Sequence, residues 1–329
     1  MRYPDITTLS LRSRILQLIR SFFAGEGYLE VEVPLLTPAP IPEHSIELFR
    51  TEYIDRYDRS HPLFLTPSPE IYLKRLLSLG AGSLFCVSRA FRNVEQLGSS
   101  HNPEFSMLEY YTVGGDYRDS LGVTEELLAH ILEGAGDELR AYRREKGRET
   151  SPAWWRQTGI PGATLKELFA RHAGLDLDRL IPEQKGVDST GGFEVLFHKA
   201  LLERIEPNIP RDGPYVLWDY PRALRTLATE TQDPRYAQRW ELYIEGVEVA
   251  NCFTEEVDPQ AVAAYFREEV ALLPQSRVPR PVDPEYPSIF ETVPACSGVA
   301  LGIDRLVAVL LGEKSIKQVM FSAFSDMIE

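Results

Sequence analysis

Residues 84–113, LFCVSRAFRNVEQLGSSHNPEFSMLEYYTV, narrow the fold more than any other stretch. Residues 84–91 are apolar enough for a strand, and 105–113 are rich in aromatic and β-branched residues. Between them lie Arg92, Asn93, Glu95, Gly98, two serines, and then His101, Asn102, Pro103 and Glu104. A hairpin loop needs turn formers, but not an Arg at the strand end or a His–Asn–Pro–Glu run. Period two puts Phe105, Met107, Glu109 and Tyr111 on one face of the second strand. A carboxylate on a buried sheet face is costly unless a cation sits beside it. Two readings follow: a solvated hairpin with a structural ion pair, or a site that receives a cation.

A chain of 329 residues, 43% apolar and 26% charged, has ample core for one large domain or two ordinary ones. The longest apolar runs, such as 306–311, are far too short to span a bilayer. The N-terminal residues show no apolar signal core, so no membrane association and a cytoplasmic location are expected. Cys86, Cys252 and Cys296 are far apart and form no CxxC pair, which argues for reduced thiols and against a zinc or disulfide framework. The net charge of −14 argues against extensive contact with a phosphate backbone.

Leu9, Ile15, Leu18, Ile19, Phe22 and Phe23 recur at helical spacing, and residues 28–34 then alternate as a strand that Pro34 stops. A short strand is expected at 61–66, a helix at 71–79 and an amphipathic helix at 116–134. Residues 137–150 read as solvated helix or loop. Thr164 and Glu167 form a capping box, and 193–205 is a further helix. Residues 140–210 together read as a helical insertion beside the sheet. Strands are expected at 215–220, 240–244 and 247–253, the last two as a hairpin across Glu245-Gly246. Asp258-Pro259 caps another helix, and CSGVALGIDR leads a glycine-bearing strand into an apolar helix.

FRNVE followed by HNPEFSMLEYY resembles motif 2 of the class II aminoacyl-tRNA synthetases, in the lysyl branch. The helix and Pro34-terminated strand resemble motif 1, the dimer-forming element of that family, and SGVALGIDR resembles motif 3. TSPEIYLKRLL and GVEVANCFTEE are similar to two further lysyl-branch segments. The resemblance implies an α+β fold, the class II catalytic antiparallel sheet flanked by helices, as a single domain over 1–329 and a homodimer. It begins near residue 9, so no N-terminal OB-fold for anticodon binding is expected. Ala300 stands where the synthetases have glycine. With that CSGVALG, the chain resembles the elongation factor P (R)-β-lysine ligase family along nearly its whole length. Members adenylate β-lysine with ATP and transfer it to a lysine side chain of elongation factor P. Two alternatives stay open: a minimal lysyl-tRNA synthetase charging tRNA, and a non-catalytic paralogue acting as a regulator.

Residue roles follow from the resemblance. Arg92 bridges the α-phosphate of ATP and the substrate carboxylate, and Arg305 pairs with the γ-phosphate. Phe105 stacks on adenine, and Asn93, Glu95, His101, Asn102, Val249 and Gly302 frame the nucleotide. Glu248 and Glu255 are the Mg2+ carboxylates. Ser68, Pro69, Glu70, Glu109, Tyr111, Asn251, Glu255 and Ala300 surround the amino acid, because carboxylates gathered in one pocket suit a ligand with two ammonium groups. Arg92, Arg305, Glu248 and Glu255 carry the catalysis. Seven residues separate Glu248 from Glu255, which would point them to opposite faces of a flat strand; a bulge near Asn251–Cys252 would restore a common direction. Motif 2 holds one residue more than the family pattern between Phe91 and His101, and Cys252 replaces a glycine.

Overall fold

The computed structural model describes residues 3–182 and 187–328. Helix α1 (Ile6–Gly25) is capped by the Asp5 carboxylate, which accepts from the Thr8 amide at 2.8 Å. Its buried stripe holds Leu11, Ile15, Leu18, Ile19, Phe22 and Phe23, the spacing expected of a helix lying on a sheet.

Eleven strands follow among the described residues: β1 (Leu29–Glu30), β2 (Leu36–Thr37), β3 (Arg50–Ile54), β4 (Ser60–Leu65), β5 (Leu84–Phe91), β6 (Glu104–Val113), β7 (Gly162–Thr164), β8 (Pro214–Pro221), β9 (Tyr236–Ile244), β10 (Val247–Thr254) and β11 (Cys296–Gly302). Eight form the central sheet in the order β1-β5-β6-β11-β10-β9-β8-β7, and β2-β4-β3 form a small second sheet. The five inner pairings are antiparallel, while β1 with β5 and β7 with β8 are parallel. An antiparallel-dominated sheet flanked by helices is therefore the architecture, as the α+β reading expects.

Alternation along these strands divides the molecule. Phe85, Leu108, Tyr110, Trp240, Leu242, Val299 and Leu301 face a core closed by α1, by the long helix α2 (Tyr117–Glu145) and by the helix Ile303–Leu311. The opposite face carries Phe105, Met107, Glu109 and Tyr111, in the period expected from the sequence. The β9–β10 hairpin turns at Glu245 (φ 52°) and Gly246 (φ 80°), the pair of positive φ values of a type I′ turn.

Several elements differ from the sequence reading. The strand expected at 28–34 is hydrogen-bonded as a strand only over Leu29–Glu30, because it meets a single parallel neighbour, β5. The helix expected to end at residue 134 runs on to Glu145 and absorbs most of the charged stretch, since its inner face keeps Leu139, Tyr142 and Arg143 buried. Arg143 is held there by the Val309 and Leu310 carbonyls at 3.1 and 3.2 Å. Residues 140–210 are not wholly helical: β7 extends the main sheet. Gly162 permits that pairing, because a Cβ there would lie 2.5 Å from the Val216 carbonyl oxygen. The Thr164 capping box is present, and behind it Phe169, Phe197, Tyr220 and Tyr236 join a separate aromatic core. Among the described residues, no helix is long and apolar enough to cross a membrane.

Candidate active site

The polar face of the sheet floors a cavity of about 480 Å³. Strand β11 lines that floor with Gly298, Val299, Ala300 and Gly302, and Val299, its one larger residue there, packs into the core behind the sheet. Register places Ala300 between Glu109 and Asn251, and Gly298 between Tyr111 and Phe253. Gly298 is needed for closeness, since a Cβ there would lie 2.6 Å from Glu255 Oε1 and 2.7 Å from Tyr111 Cε1. A Cβ on Gly302 would meet nothing nearer than 3.7 Å, so the space above it is open to a ligand.

One end of the cavity is cationic. Arg92 leaves β5 with its guanidinium 5.3 Å from the Phe105 ring centroid, and its buried Nε has no partner. An unsatisfied buried donor is what a site for an absent acceptor leaves behind. Arg305 opens the helix after β11. Its Nε donates to the Ser100 carbonyl at 3.0 Å, and its Nη1 to the Glu248 carbonyl at 2.8 Å and carboxylate at 3.1 Å. Its Nη2 lies 2.9 Å from His101 Nε2, which makes that nitrogen the acceptor and assigns the ring proton to Nδ1. Burial, then the Arg305 charge, push the His101 pKa down, so the ring is neutral at pH 7. Asp304, the residue before Arg305, ion-pairs with Arg12 of α1 at 2.7 Å and accepts from the Ser106 amide at 2.7 Å. The first helix, β6 and the β11 helix are thus joined behind the arginine.

The other end is anionic. Glu70 opens the helix Glu70–Ser78, and its amide donates to Ser68 Oγ at 3.3 Å. Glu109 accepts from the Tyr111 hydroxyl at 2.9 Å, and both are buried. Burial, then the Glu70 charge, push Glu109 up to about 8. Burial also raises Glu255, offset by Lys74, to about 7. Lys74, 1% exposed, donates from Nζ to Glu70 Oε1 at 2.6 Å and lies 2.7 Å from Glu255 Oε2. Burial alone would lower its pKa, but the two carboxylates hold it protonated.

Sequence reasoning missed Lys74, Arg239 and Gly298. Lys74 had a signal: it falls three residues after Ile71 and three before Leu77, on the buried stripe of its helix. Arg239 stacks its guanidinium 4.4 Å from the Tyr220 ring centroid and donates to Asn251 Oδ1 at 3.0 Å and Glu241 at 2.8 Å. That bond turns the Asn251 amide so that its NH2 is left for another acceptor.

The bulge expected near Asn251–Cys252 lies earlier, at Val249, where the register shifts between Glu248 and Ala250. It brings Glu248, Asn251 and Phe253 to one face, opposite Tyr243, Glu241 and Arg239, and Glu255 follows at the strand's end. Cys252 faces the core, fully buried, so the glycine replacement does not touch the cavity. In the motif 2 stretch that holds the added residue, Val94 adopts φ 57°, and Glu95 lines the cavity. Asn93 and Pro69 do not line it: Asn93 donates to the Leu48 carbonyl at 3.2 Å, and Pro69 precedes the Glu70 helix. Asn102 lines it, but its amide is held by the Phe324 amide and the Glu104 carbonyl. Ser68, Glu70, Arg92, His101, Phe105, Val249, Ala300 and the remaining expected residues converge on one cavity.

Among the described residues, no three His, Cys, Asp or Glu side chains gather into a metal cage. The donors suit a magnesium ion carried mainly by phosphate oxygens, which needs one or two carboxylates. Glu248 fits that role, 41% exposed beside Arg305. Glu255, 1% exposed and ion-paired with Lys74, does not fit as the second ligand in this conformation.

The sequence profile of the tRNA synthetases class II (D, K and N) matches residues 4–325, which identifies this antiparallel-dominated sheet, with a cavity cationic at one end and anionic at the other, as an amino-acid-activating enzyme fold. Similar proteins include the elongation factor P–(R)-β-lysine ligases of Vibrio cholerae, 34% identical over 97% of this chain and 96% of that protein, and of Vibrio vulnificus, 33% over 96% and 95%. That of Yersinia enterocolitica is 33% identical over 96% of this chain and 94% of its own. The chain belongs to the class II tRNA synthetase family and, within it, to the elongation factor P–(R)-β-lysine ligases.

Proposed function

We propose that this protein activates (R)-β-lysine with ATP and joins it to a lysine side chain of elongation factor P. The observation that carries this is the single cavity with Arg92 and Arg305 at one end and Glu70, Glu109 and Glu255 at the other. A triphosphate needs the planar, permanently charged guanidinium fork, and a diamino acid needs buried carboxylates. The amino acid's carboxylate attacks the α-phosphorus, an O–P bond forms, and pyrophosphate leaves. Arg92, with its Nε free, holds the reacting carboxylate and α-phosphate together, while Arg305 takes the terminal phosphate. Phe105 offers its face to adenine. Glu248 would hold a magnesium ion together with phosphate oxygens and water, and when bound that ion supplies charge neutralisation.

In the second half-reaction the neutral amine of the acceptor lysine attacks the adenylate carbonyl, an amide forms, and AMP leaves with the carbonyl–phosphate bond broken. Two observations favour a protein acceptor over tRNA: the relatives matched along nearly their full length are ligases of elongation factor P, and the net charge is −14. ATP–pyrophosphate exchange with each lysine isomer tests the activation step. Exchange is expected with (R)-β-lysine above α-lysine, and its absence with both isomers overturns the reading.

A further inference from the structure

The amino-acid end of the cavity holds a cation of its own. Lys74 lies behind the wall rather than in it, with its ammonium between Glu70 and Glu255 and the rings of Phe253 and Phe290 at 6.0 and 5.8 Å. It is buried, and among the described residues its ion-pair partners are the two carboxylates that also border the cavity. Glu109 is different: its carboxylate has the Tyr111 hydroxyl and no protein ammonium.

We propose that Lys74 is an internal counter-ion that sets the charge of this pocket, and with it the demand for a ligand carrying two ammonium groups. Once a ligand's ammonium has displaced the proton of Glu109, three carboxylates against one ammonium leave two negative charges facing the cavity. A diamino acid supplies two positive charges there while its carboxylate lies at the arginine end, so the inference rests on the substrate class proposed above. Without Lys74 the Glu70 and Glu255 carboxylates would lose their shared cation, and low-dielectric surroundings would force one of them to keep a proton in addition to that of Glu109. With a second internal cation in addition, one ligand ammonium would have no partner.

The titratable groups around Lys74 and Glu70 agree with this count, and Glu43, which also lines the cavity, is pushed toward its neutral form by burial. Glu70 comes from the helix of Lys74, Glu255 from the end of β10, Glu109 and Tyr111 from β6, Cys296 from β11, Tyr265 from the helix Pro259–Leu272 and Tyr286 from the 286–291 turn. Burial holds the three phenols and the thiol in their neutral forms at pH 7, so they add no charge. Arg75, over the outer face of Tyr286, is cancelled by Asp283 at 2.6 Å. Glu109 and Glu255, pushed up to about 8 and about 7, are the carboxylates that take up or release the balancing proton.

The test reads carboxyl protonation and amino-acid binding separately. Infrared difference spectra of the ligand-free protein at pH 7 count protonated carboxyls: K74M is expected to carry about one more than the parent, and K74R none. Calorimetry then measures (R)-β-lysine and α-lysine binding from pH 6.5 to 9. K74M should bind about tenfold or more weakly at pH 6.5, with the gap closing as pH rises and the extra proton leaves. The K74M/E70Q double variant, which removes a carboxylate with the ammonium, should bind no worse than E70Q alone. Because it removes one charge of each sign and keeps the net charge of the buried group, it also serves if K74M does not fold. A parental proton count in K74M, a loss that is flat with pH, or losses that add in the double variant would each refute the counter-ion role. A parent that binds neither isomer while K74M still gains the proton would instead refute the proposed substrate alone.

Discussion

Glu109→Gln should make the ligand-free protein more stable while removing its activity. The wild-type carboxyl sits at about 8 instead of 4.5, raised first by burial and then by Glu70. A carboxyl whose folded pKa lies above its unfolded one binds its proton more tightly when folded. Its stabilising contribution is therefore fully present below about pH 4.5 and lost as pH rises through about 8. A difference of 3.5 units corresponds to about 5 kcal/mol as a ceiling. Because the neighbouring Glu70 and Glu255 charges act on Glu109, the loss between pH 6 and 8.5 is on the order of 2–3 kcal/mol. Glutamine has no such titration. Thermal unfolding without ligand should show wild type falling by a few degrees more than Glu109→Gln, which keeps only the Glu255 titration, so that the variant ends about 3–6 °C above wild type at pH 8.5. Saturating α-lysine or β-lysine should raise the wild-type midpoint but not the variant's. Equal pH dependence in the two proteins would refute the placement of an unpaired carboxyl at Glu109.

Arg92→Ala and Arg305→Ala should each abolish ATP–pyrophosphate exchange, since groups that neutralise migrating phosphate charge are commonly worth about 3–4 kcal/mol; near-normal exchange in a folded variant would sink the assignment. Ala300→Gly opens the floor between Glu109 and Asn251 and should shift discrimination toward α-lysine by about 1–3 kcal/mol; unchanged relative rates would make Ala300 packing only. Sedimentation at micromolar concentration should show a dimer formed through residues 9–36, where Leu29, Leu35 and Leu36 are exposed, and a monomer would count against it.

The parts of this site legible in the sequence are those set by local periodicity. Phe105, Met107, Glu109 and Tyr111 reach one face because β6 is regular and the strand period is two. Glu245-Gly246 announces its turn because few residues tolerate positive φ in succession. What stayed hidden depends on contacts between distant segments. The bulge at Val249 depends on pairing with Tyr243 and Leu242, so its position could not be read from β10 alone. The three-residue β7 is too short to show a period, and joins the sheet only because Gly162 fits against Val216. Lys74 shows its place on a buried stripe and its i,i+4 partner Glu70, but the second carboxylate that holds the charge there, Glu255, arrives from 181 positions along the chain. Arg239 likewise acquires its meaning from Asn251 on the neighbouring strand and Tyr220 on the next.

The acceptor is tested most directly by intact-mass measurement. The protein, ATP and (R)-β-lysine are incubated at physiological salt with elongation factor P and, separately, with tRNA. The account predicts a shift of elongation factor P by one β-lysyl residue on a single lysine side chain and negligible charging of tRNA. Robust aminoacylation of tRNA with no mass change on elongation factor P would contradict it.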